Sequence, residues 1–268
     1  MSSHPTVPTP AGSEDKFYHA RITKRVDLAD DLWVIRVEPG GDFTFVPGQY
    51  ATLGVNGPLK RSERAYSIVS SPYEKELEFF FELVPEGELT PKLYKLQVGD
   101  ELLMRKIPKG RFTLENKGGR NKHLLVSTVT GVAPYISYIR TLYKDWKEGK
   151  FAGEQQLFLL HGASRSWELG YHEELQKFSQ EVPWLTYAPT VSRPWEVKDW
   201  SGETGRVDDV LRKYTDLWGL TGADSVGYLC GHPTMIANGK GILARIGFGK
   251  DGLKEEIYWI PPKETAAG

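Results

Sequence analysis

Cysteine is almost absent from this chain of 268 residues, in which Cys230 stands alone. A single thiol cannot form an internal disulfide, and it cannot build a zinc or iron–sulfur site that needs several cysteines. The sequence therefore predicts a protein without a metal centre, suited to a reducing cytoplasm.

Long apolar runs and an excess of one charge are also missing. No segment approaches the ~18 to 20 apolar residues of a membrane-spanning helix. The Pro- and Ser-rich residues 1–15 lack the apolar core of a signal peptide and are expected to form a flexible tail. Lys and Arg total 34 against 35 Asp and Glu, so no global field attracts nucleic acid or anionic lipid. We expect a cytoplasmic monomer with neither nucleic acid nor a membrane as partner.

The length of the chain predicts two globular domains, because 268 residues exceed what most single hydrophobic cores contain. Residues 16–115 alternate short apolar and polar segments with Gly- and Pro-containing turns, which predicts a small closed antiparallel β domain with strands of about 5 to 7 residues. The strands are expected at 17–26, 32–39, 49–55, 64–71, 77–84 and 101–106, with a short helix near 90–96.

The second domain, residues 121–268, follows a polar, Gly-bearing connection at 115–122. Its predicted strands and helices alternate: strands at 123–128, 155–163, 185–192 and 225–231, helices at 133–149, 171–181, 206–216 and 233–247. This alternation predicts a parallel sheet with helices on both faces. Ligands of such sheets bind beyond the carboxyl ends of the strands.

The tetrad Arg64-Ala65-Tyr66-Ser67 is the first candidate site. In a strand Arg64 and Tyr66 share one face, while Ala65 and Ser67 share the other. One interpretation is an edge strand with a solvated face. The other is a ligand clamp, in which a guanidinium holds a phosphate and a phenol ring covers a flat heterocycle.

Further candidates follow the predicted strands of the second domain. They are Thr130 and Gly131 in "STVTGVAP", Ser192 and Arg193 in "TVSRPW", Arg206 in "TGRV", and Cys230 and Gly231 in "LCGHP". Each has a plain alternative, since surface arginines are usually solvated and a lone cysteine is usually structural.

Taken together, these motifs resemble those of the bacterial ferredoxin–NADP reductases, from about Phe17 to Trp259. The resemblance implies an antiparallel Greek-key β-barrel that binds FAD at 16–115. It further implies a Rossmann-like parallel-sheet domain that binds NADP at 121–268, with an aromatic C-terminal tail returning to the flavin. The implied reaction moves hydride between NADPH and FAD, and single electrons between FAD and ferredoxin or flavodoxin.

The resemblance also assigns roles to residues. Ser67, Cys230 and Tyr258 would be catalytic. The residues expected to contact FAD are Arg64, Ala65, Tyr66, Ser67, Phe80, Phe81, Glu82, Leu83, Glu88, Leu89, Thr90, Thr130, Tyr258 and Trp259. The residues expected to contact NADP are Thr130, Gly131, Ser164, Arg165, Ser192, Arg193, Arg206, Cys230 and Gly231. A plain alternative for Thr90 is the N-cap of a helix that starts at Pro91.

Two departures from the family pattern concern the nucleotide. Val129 stands where the family usually has glycine, and Arg165 comes one residue after Ser164, where the family often has its arginine. Ser192, Arg193 and Arg206 would read the adenosine 2'-phosphate and so favour NADPH over NADH.

Several alternatives stay open at this point. A quinone or free-flavin reductase, or an oxygenase reductase component, would use the same scaffold, and a non-catalytic nucleotide-binding protein would keep the fold without the chemistry. The basic segment 104–111, "MRKIPKGR", is either a docking surface for an acidic partner or a solvated loop.

Overall fold

A computed structural model describes residues 16–57, 60–115 and 119–258, which form two six-stranded sheets. The strands of the first sheet, in chain order, are β1 (Phe17–Ala29), β2 (Leu32–Glu38), β3 (Tyr50–Asn56), β4 (Arg61–Ser67), β5 (Leu77–Glu82) and β6 (Glu101–Arg105). A one-turn helix, α1 (Thr90–Leu93), lies between β5 and β6.

The first sheet is antiparallel, with the strand order β4-β3-β6-β1-β2-β5. Strands distant in sequence are neighbours, as in a Greek key, and this confirms the predicted fold of the first domain. The two edge strands approach each other without a described backbone ladder, and the Tyr66 and Phe81 rings meet edge to face across this seam with centroids 4.8 Å apart. The barrel therefore closes through side chains at the seam.

The second sheet is parallel, with the order β10-β9-β8-β7-β11-β12. Its strands are β7 (Lys122–Thr128), β8 (Gln156–Ala163), β9 (Leu185–Val191), β10 (Glu203–Thr204), β11 (Ser225–Gly231) and β12 (Leu253–Ile257). The chain runs outward from β7 to one edge and then returns to β11 on the other side of β7. This reversal creates a crevice at the carboxyl ends of β7 and β11, where such folds bind nucleotides.

Four longer helices cover the two faces of the parallel sheet. They are α2 (Ala133–Lys147), α3 (His172–Glu181), α4 (Val207–Leu217) and α5 (Pro233–Arg245). On β7, Leu125 joins the core beneath α2 and α3, whereas Leu124 and Val126 join the core beneath α4 and α5. The apolar run in this strand is thus explained by burial on both faces.

The core beneath α2 also includes residues of the barrel. Val34, Phe80 and Phe112 pack in the same buried cluster as Tyr135 and Ile139 of α2. The two domains consequently share an apolar interface and do not merely sit at the ends of a linker.

Some predicted elements differ from the structure. The strand β1 has 13 residues, because its first half pairs with β6 and its second half with β2. The strand predicted at 64–71 instead begins at Arg61 and ends at Ser67. The short strand β10 was not predicted. Within the described residues, no helix is long and apolar enough to cross a membrane.

Candidate active site between the two domains

The barrel seam brings the Arg64-Ala65-Tyr66-Ser67 tetrad opposite the end of β5. Tyr66 is paired with Ala51 and Arg64 with Leu53, so both point to the same face of the sheet as these two core residues. Burial raises the pKa of Tyr66, so its phenol stays neutral. The Arg64 side chain is 60% exposed and stays in reach of a ligand.

Two further cations lie near Arg64. The Glu88 carboxylate is 3.0 Å from Lys60 Nζ and 3.6 Å from Arg64 Nη2, and Lys92 Nζ donates to Ser62 Oγ at 2.6 Å. The ammonium of Lys60 holds the pKa of Glu88 below its usual value. Lys60, Arg64 and Lys92 outnumber the Glu88 carboxylate and form a positively charged patch beside the seam, which suits the binding of phosphate groups.

Thr90 is the first residue of α1, so the proposal that it caps this helix was wrong. Leu89 holds the N-cap position. The Thr90 hydroxyl donates to Val84 O at 3.1 Å and accepts from Val84 N at 3.0 Å. Leu89 itself is buried in the barrel core. Thr90 therefore closes the loop that follows β5 and fixes Glu88 near Arg64.

Successive side chains at the end of β5 contact different parts of the molecule. Phe81 packs inside the barrel, while Phe80 faces the second domain and meets Tyr171 edge to face, with centroids 5.6 Å apart. Glu82 and Leu83 then line a cleft of about 550 Å³ between the domains. The predicted FAD segment thus leads from the barrel core to the interdomain cleft.

The floor of this cleft lies at the switch point of the parallel sheet. Thr130 lines it from the turn after β7, and Gly231 lines it from the end of β11. A Cβ on Gly131 would lie 2.3 Å from Cys230 O, and one on Gly231, whose φ is +124°, would lie 2.3 Å from Thr128 Oγ1. Both glycines are needed for these two chain segments to touch.

Val129 follows β7 in the left-handed region, with φ +43°. A β-branched residue is strained there. Its carbonyl accepts a hydrogen bond of 3.3 Å from Nε2 of His161, a buried residue of β8. Burial lowers the pKa of His161 to about 3, so the imidazole is neutral and supports this strained turn.

The three residues proposed as catalytic converge at the junction of the domains. The Tyr258 hydroxyl interacts with the side chains of Ser67 and Cys230. Tyr258 lines the cleft and keeps 37% of its surface exposed, whereas its hydroxyl is buried in this cluster. Burial raises the pKa of both Cys230 and Tyr258. Trp259, the other aromatic expected here, lies outside the described residues.

Glu256 joins this cluster, although sequence reasoning missed it. Ser67 Oγ donates to Glu256 Oε1 at 3.2 Å, and the buried Oε2 has no partner within the described part of the chain. Burial raises the pKa of Glu256 to about 7. Glu256 lies on β12, where it is paired with Cys230 of β11. This strand pairing places Glu256 at the site, and no motif in the sequence indicated it.

The expected nucleotide residues lie along one edge of the cleft. Ser164, Ser192 and Arg206 line it directly. Arg165 and Arg193 lie on the loops that carry Ser164 and Ser192, but both guanidiniums are engaged by one carboxylate, Glu196. Arg165 is thus already paired in this structure, an arrangement that the sequence motifs did not predict.

Comparison with known proteins identifies the family. Residues 19–114 match the oxidoreductase FAD-binding domain, and residues 125–240 match the oxidoreductase NAD-binding domain. A ferredoxin–NADP reductase of Pseudomonas aeruginosa is 30% identical over 245 residues, which cover 86% of this chain and 90% of the relative. The chain belongs to the ferredoxin–NADP reductase family.

Two other matches show how far the family scaffold extends. The electron transfer component of the xylene/toluene monooxygenase of Pseudomonas putida is 27% identical, over 91% of this chain and 66% of the relative. A ferredoxin NADP+ reductase from Neisseria gonorrhoeae, with bound FAD and NADP, superposes with a TM-score of 0.79 and 23% identity, covering 91% of this chain and 99% of the other. The latter likeness confirms the predicted two-domain architecture.

The described residues fit both cofactors of the family. For FAD, the seam offers the Tyr66 ring, the Ser67 hydroxyl and the positively charged patch around Arg64. For NADP, the cleft offers a glycine-lined floor and arginines at its edge. The unpartnered buried oxygen of Glu256 also points to a polar group that completes this junction.

Proposed function

We propose that the protein is an FAD-dependent oxidoreductase that exchanges hydride with NADPH and single electrons with a ferredoxin or flavodoxin. Family membership supports this reaction. The observation that carries it is the convergence of Ser67, from the barrel seam, with Cys230 and Tyr258, from the parallel sheet. This convergence joins the flavin half to the nucleotide half at one point.

Bound FAD would supply the redox chemistry, because a flavin takes up two electrons together and releases them singly. The chain would hold and orient it. Arg64 and the neighbouring Lys60 and Lys92 would bind the phosphates, and Tyr66 would stack on the flat ring system. Tyr258 would exclude water from the junction and move aside when the nicotinamide enters.

Ser67 and Glu256 would hold a proton at the junction. With a pKa of about 7, the Glu256 carboxyl is partly protonated at neutral pH. The Ser67 hydroxyl donates to it at 3.2 Å and also contacts Tyr258, which lines the cleft. We assign to this pair the storage of a proton and its transfer at Ser67 Oγ.

We further propose that the one-electron partner docks next to β4. Lys109 forms a β-bridge with Tyr50, and Tyr50 is the residue paired with Ser67. Ile107, in the same loop, is 70% exposed. Lys109 and the exposed Ile107 suit the docking of an acidic protein near the flavin edge. The positive charge of Lys109 would speed the encounter with that partner.

The test is the visible spectrum of the purified protein under anaerobic conditions, before and after NADPH is added. We expect a yellow protein that NADPH bleaches and that oxidised ferredoxin or flavodoxin restores. A colourless protein, or a yellow one that NADPH leaves unchanged, would refute the proposal. Restoration by quinone or free flavin alone would favour the other reductases of this scaffold.

A further inference from the structure

The edge of the cleft contains a carboxylate that the proposed nucleotide site does not need. Glu196 Oε2 lies 2.6 Å from Arg165 Nε, and Glu196 Oε1 lies 3.6 Å from Arg193 Nη1. Within the described residues, these two guanidiniums are the only ion-pair partners of Glu196. One carboxylate therefore bridges two of the arginines expected to meet the nucleotide phosphates.

The local fold holds Glu196 in this position. Arg193 N donates to Ser164 O at 2.9 Å, which ties the loop after β9 to the loop after β8. A turn that starts at Pro194 then carries Glu196, whose amide donates to Arg193 O at 3.0 Å. These backbone contacts hold the two loops together, and the side chains of Arg165, Arg193 and Glu196 form the bridge between them.

Two nearby carboxylates also pair with arginines of this edge, Glu168 Oε1 with Arg165 Nη1 at 2.9 Å and Asp208 Oδ1 with Arg206 Nε at 3.4 Å. They differ from Glu196 because each has a structural role as well. Glu168 Oε2 accepts the amides of Ser164 and Arg165 at 2.9 and 3.1 Å. Asp208 is buried and accepts from Asn238 Nδ2 at 2.7 Å. Glu196 has no such backbone or amide donor in the described structure, so its charge is directed at the two guanidiniums.

We propose that Glu196 is a specificity-determining residue that competes with the adenosine 2'-phosphate for Arg193 and holds the neighbouring Arg165 in the same ion-pair cluster. This inference rests on the proposed function. A 2'-phosphate must displace the carboxylate from the guanidiniums or bind beside a like charge, and both weaken binding. A free ribose 2'-hydroxyl meets no such repulsion and can donate to a carboxylate. Glu196 therefore weakens the binding of NADPH more than that of NADH and reduces the preference of this chain for NADPH.

The experiment compares Glu196→Gln with the wild type in the flavin-loaded, full-length protein. Isothermal titration calorimetry measures the binding of adenosine 2',5'-bisphosphate and of 5'-AMP, neither of which can reduce the flavin. We expect Glu196→Gln to bind the bisphosphate about fivefold more tightly, as for a partly exposed charge pair, with unchanged or weaker binding of 5'-AMP. The ratio of the KM values for NADH and NADPH should rise correspondingly.

Asp216→Asn is the matched control, because Asp216 forms an exposed carboxylate–guanidinium pair with Arg212 on α4, at 2.7 Å. It removes the same charge and should leave both affinities unchanged. An unchanged ratio of affinities in Glu196→Gln, or weaker binding of the bisphosphate, would overturn the inference and show that Glu196 only positions the arginines. Failure of NADPH to bleach the wild-type flavin would instead refute the proposed function, whatever the two adenosine ligands do.

Discussion

At the scale of single residues, the most informative group is Glu256. Among the described residues, the groups that interact with it carry no positive charge: Ser67 donates to it, and Cys230, Tyr258 and the α2 tyrosines Tyr135 and Tyr138 are the other groups. Desolvation therefore dominates and raises its pKa from 4.5 to about 7. The folded protein binds this proton more tightly than the unfolded chain does.

This shift predicts a pH dependence of stability. The protonated carboxyl stabilises the fold below about pH 4.5, and this contribution is lost as the pH rises through about 7. Glu256→Gln mimics the protonated form at every pH. Relative to the wild type, its free energy of unfolding should rise by about 2 to 3 kcal/mol between pH 4.5 and pH 8. Urea denaturation of both proteins across this range measures the difference, and parallel pH curves would contradict it.

At the scale of elements, the turn after β7 shows how backbone strain accompanies a site. Val129 adopts φ +43° at the start of the 3-10 turn Val129–Val132. A Cβ in this conformation costs ~1 to 2 kcal/mol. Contacts such as the His161 bond to its carbonyl maintain it.

Substitutions of Val129 should therefore reverse the usual order of alanine and glycine. We expect Val129→Gly to be more stable than Val129→Ala by about 0.5 to 1 kcal/mol, since relief of strain exceeds the entropy that glycine adds to the unfolded chain. Val132, with φ −71° in the same turn, is the control, and there alanine should be the more stable substitution. Chemical denaturation of the four variants decides, and the same order at both positions would argue against strain at Val129.

At the scale of the whole molecule, charged groups from both domains meet at their interface. Arg140 of α2 donates to Glu78 of β5 at 3.0 Å and to both oxygens of Glu174 of α3 at 2.7 and 2.9 Å. The buried Glu78 also accepts from Arg36 and Tyr171, at 2.6 and 2.9 Å. Together with the shared apolar core, this network should make the two domains unfold as one unit.

We predict that Arg140→Met lowers the free energy of unfolding by about 2 kcal/mol. The loss is below the ~3 to 5 kcal/mol typical of a broken buried pair, because Arg36 still compensates Glu78. Urea denaturation followed by circular dichroism and by flavin fluorescence measures both the loss and the coincidence of the two transitions. Arg212→Met, in the exposed pair with Asp216, is the control and should cost at most about 0.5 kcal/mol. Equal losses in the two variants would contradict a bridging role for Arg140.

Local patterns in the sequence determined the order of strands and helices, the two-domain division of the fold and the family motifs, because periodicity and turn residues act over a few neighbouring positions. They missed the full length of β1 and the short β10, whose extents depend on which strands become neighbours. Only the tertiary structure paired Ser67 with Glu256, 189 positions away, and placed Glu196 between Arg165 and Arg193. Hydrogen bonds and ion pairs depend on which groups are close in space. The sequence around each of these residues therefore could not show which partner it would meet.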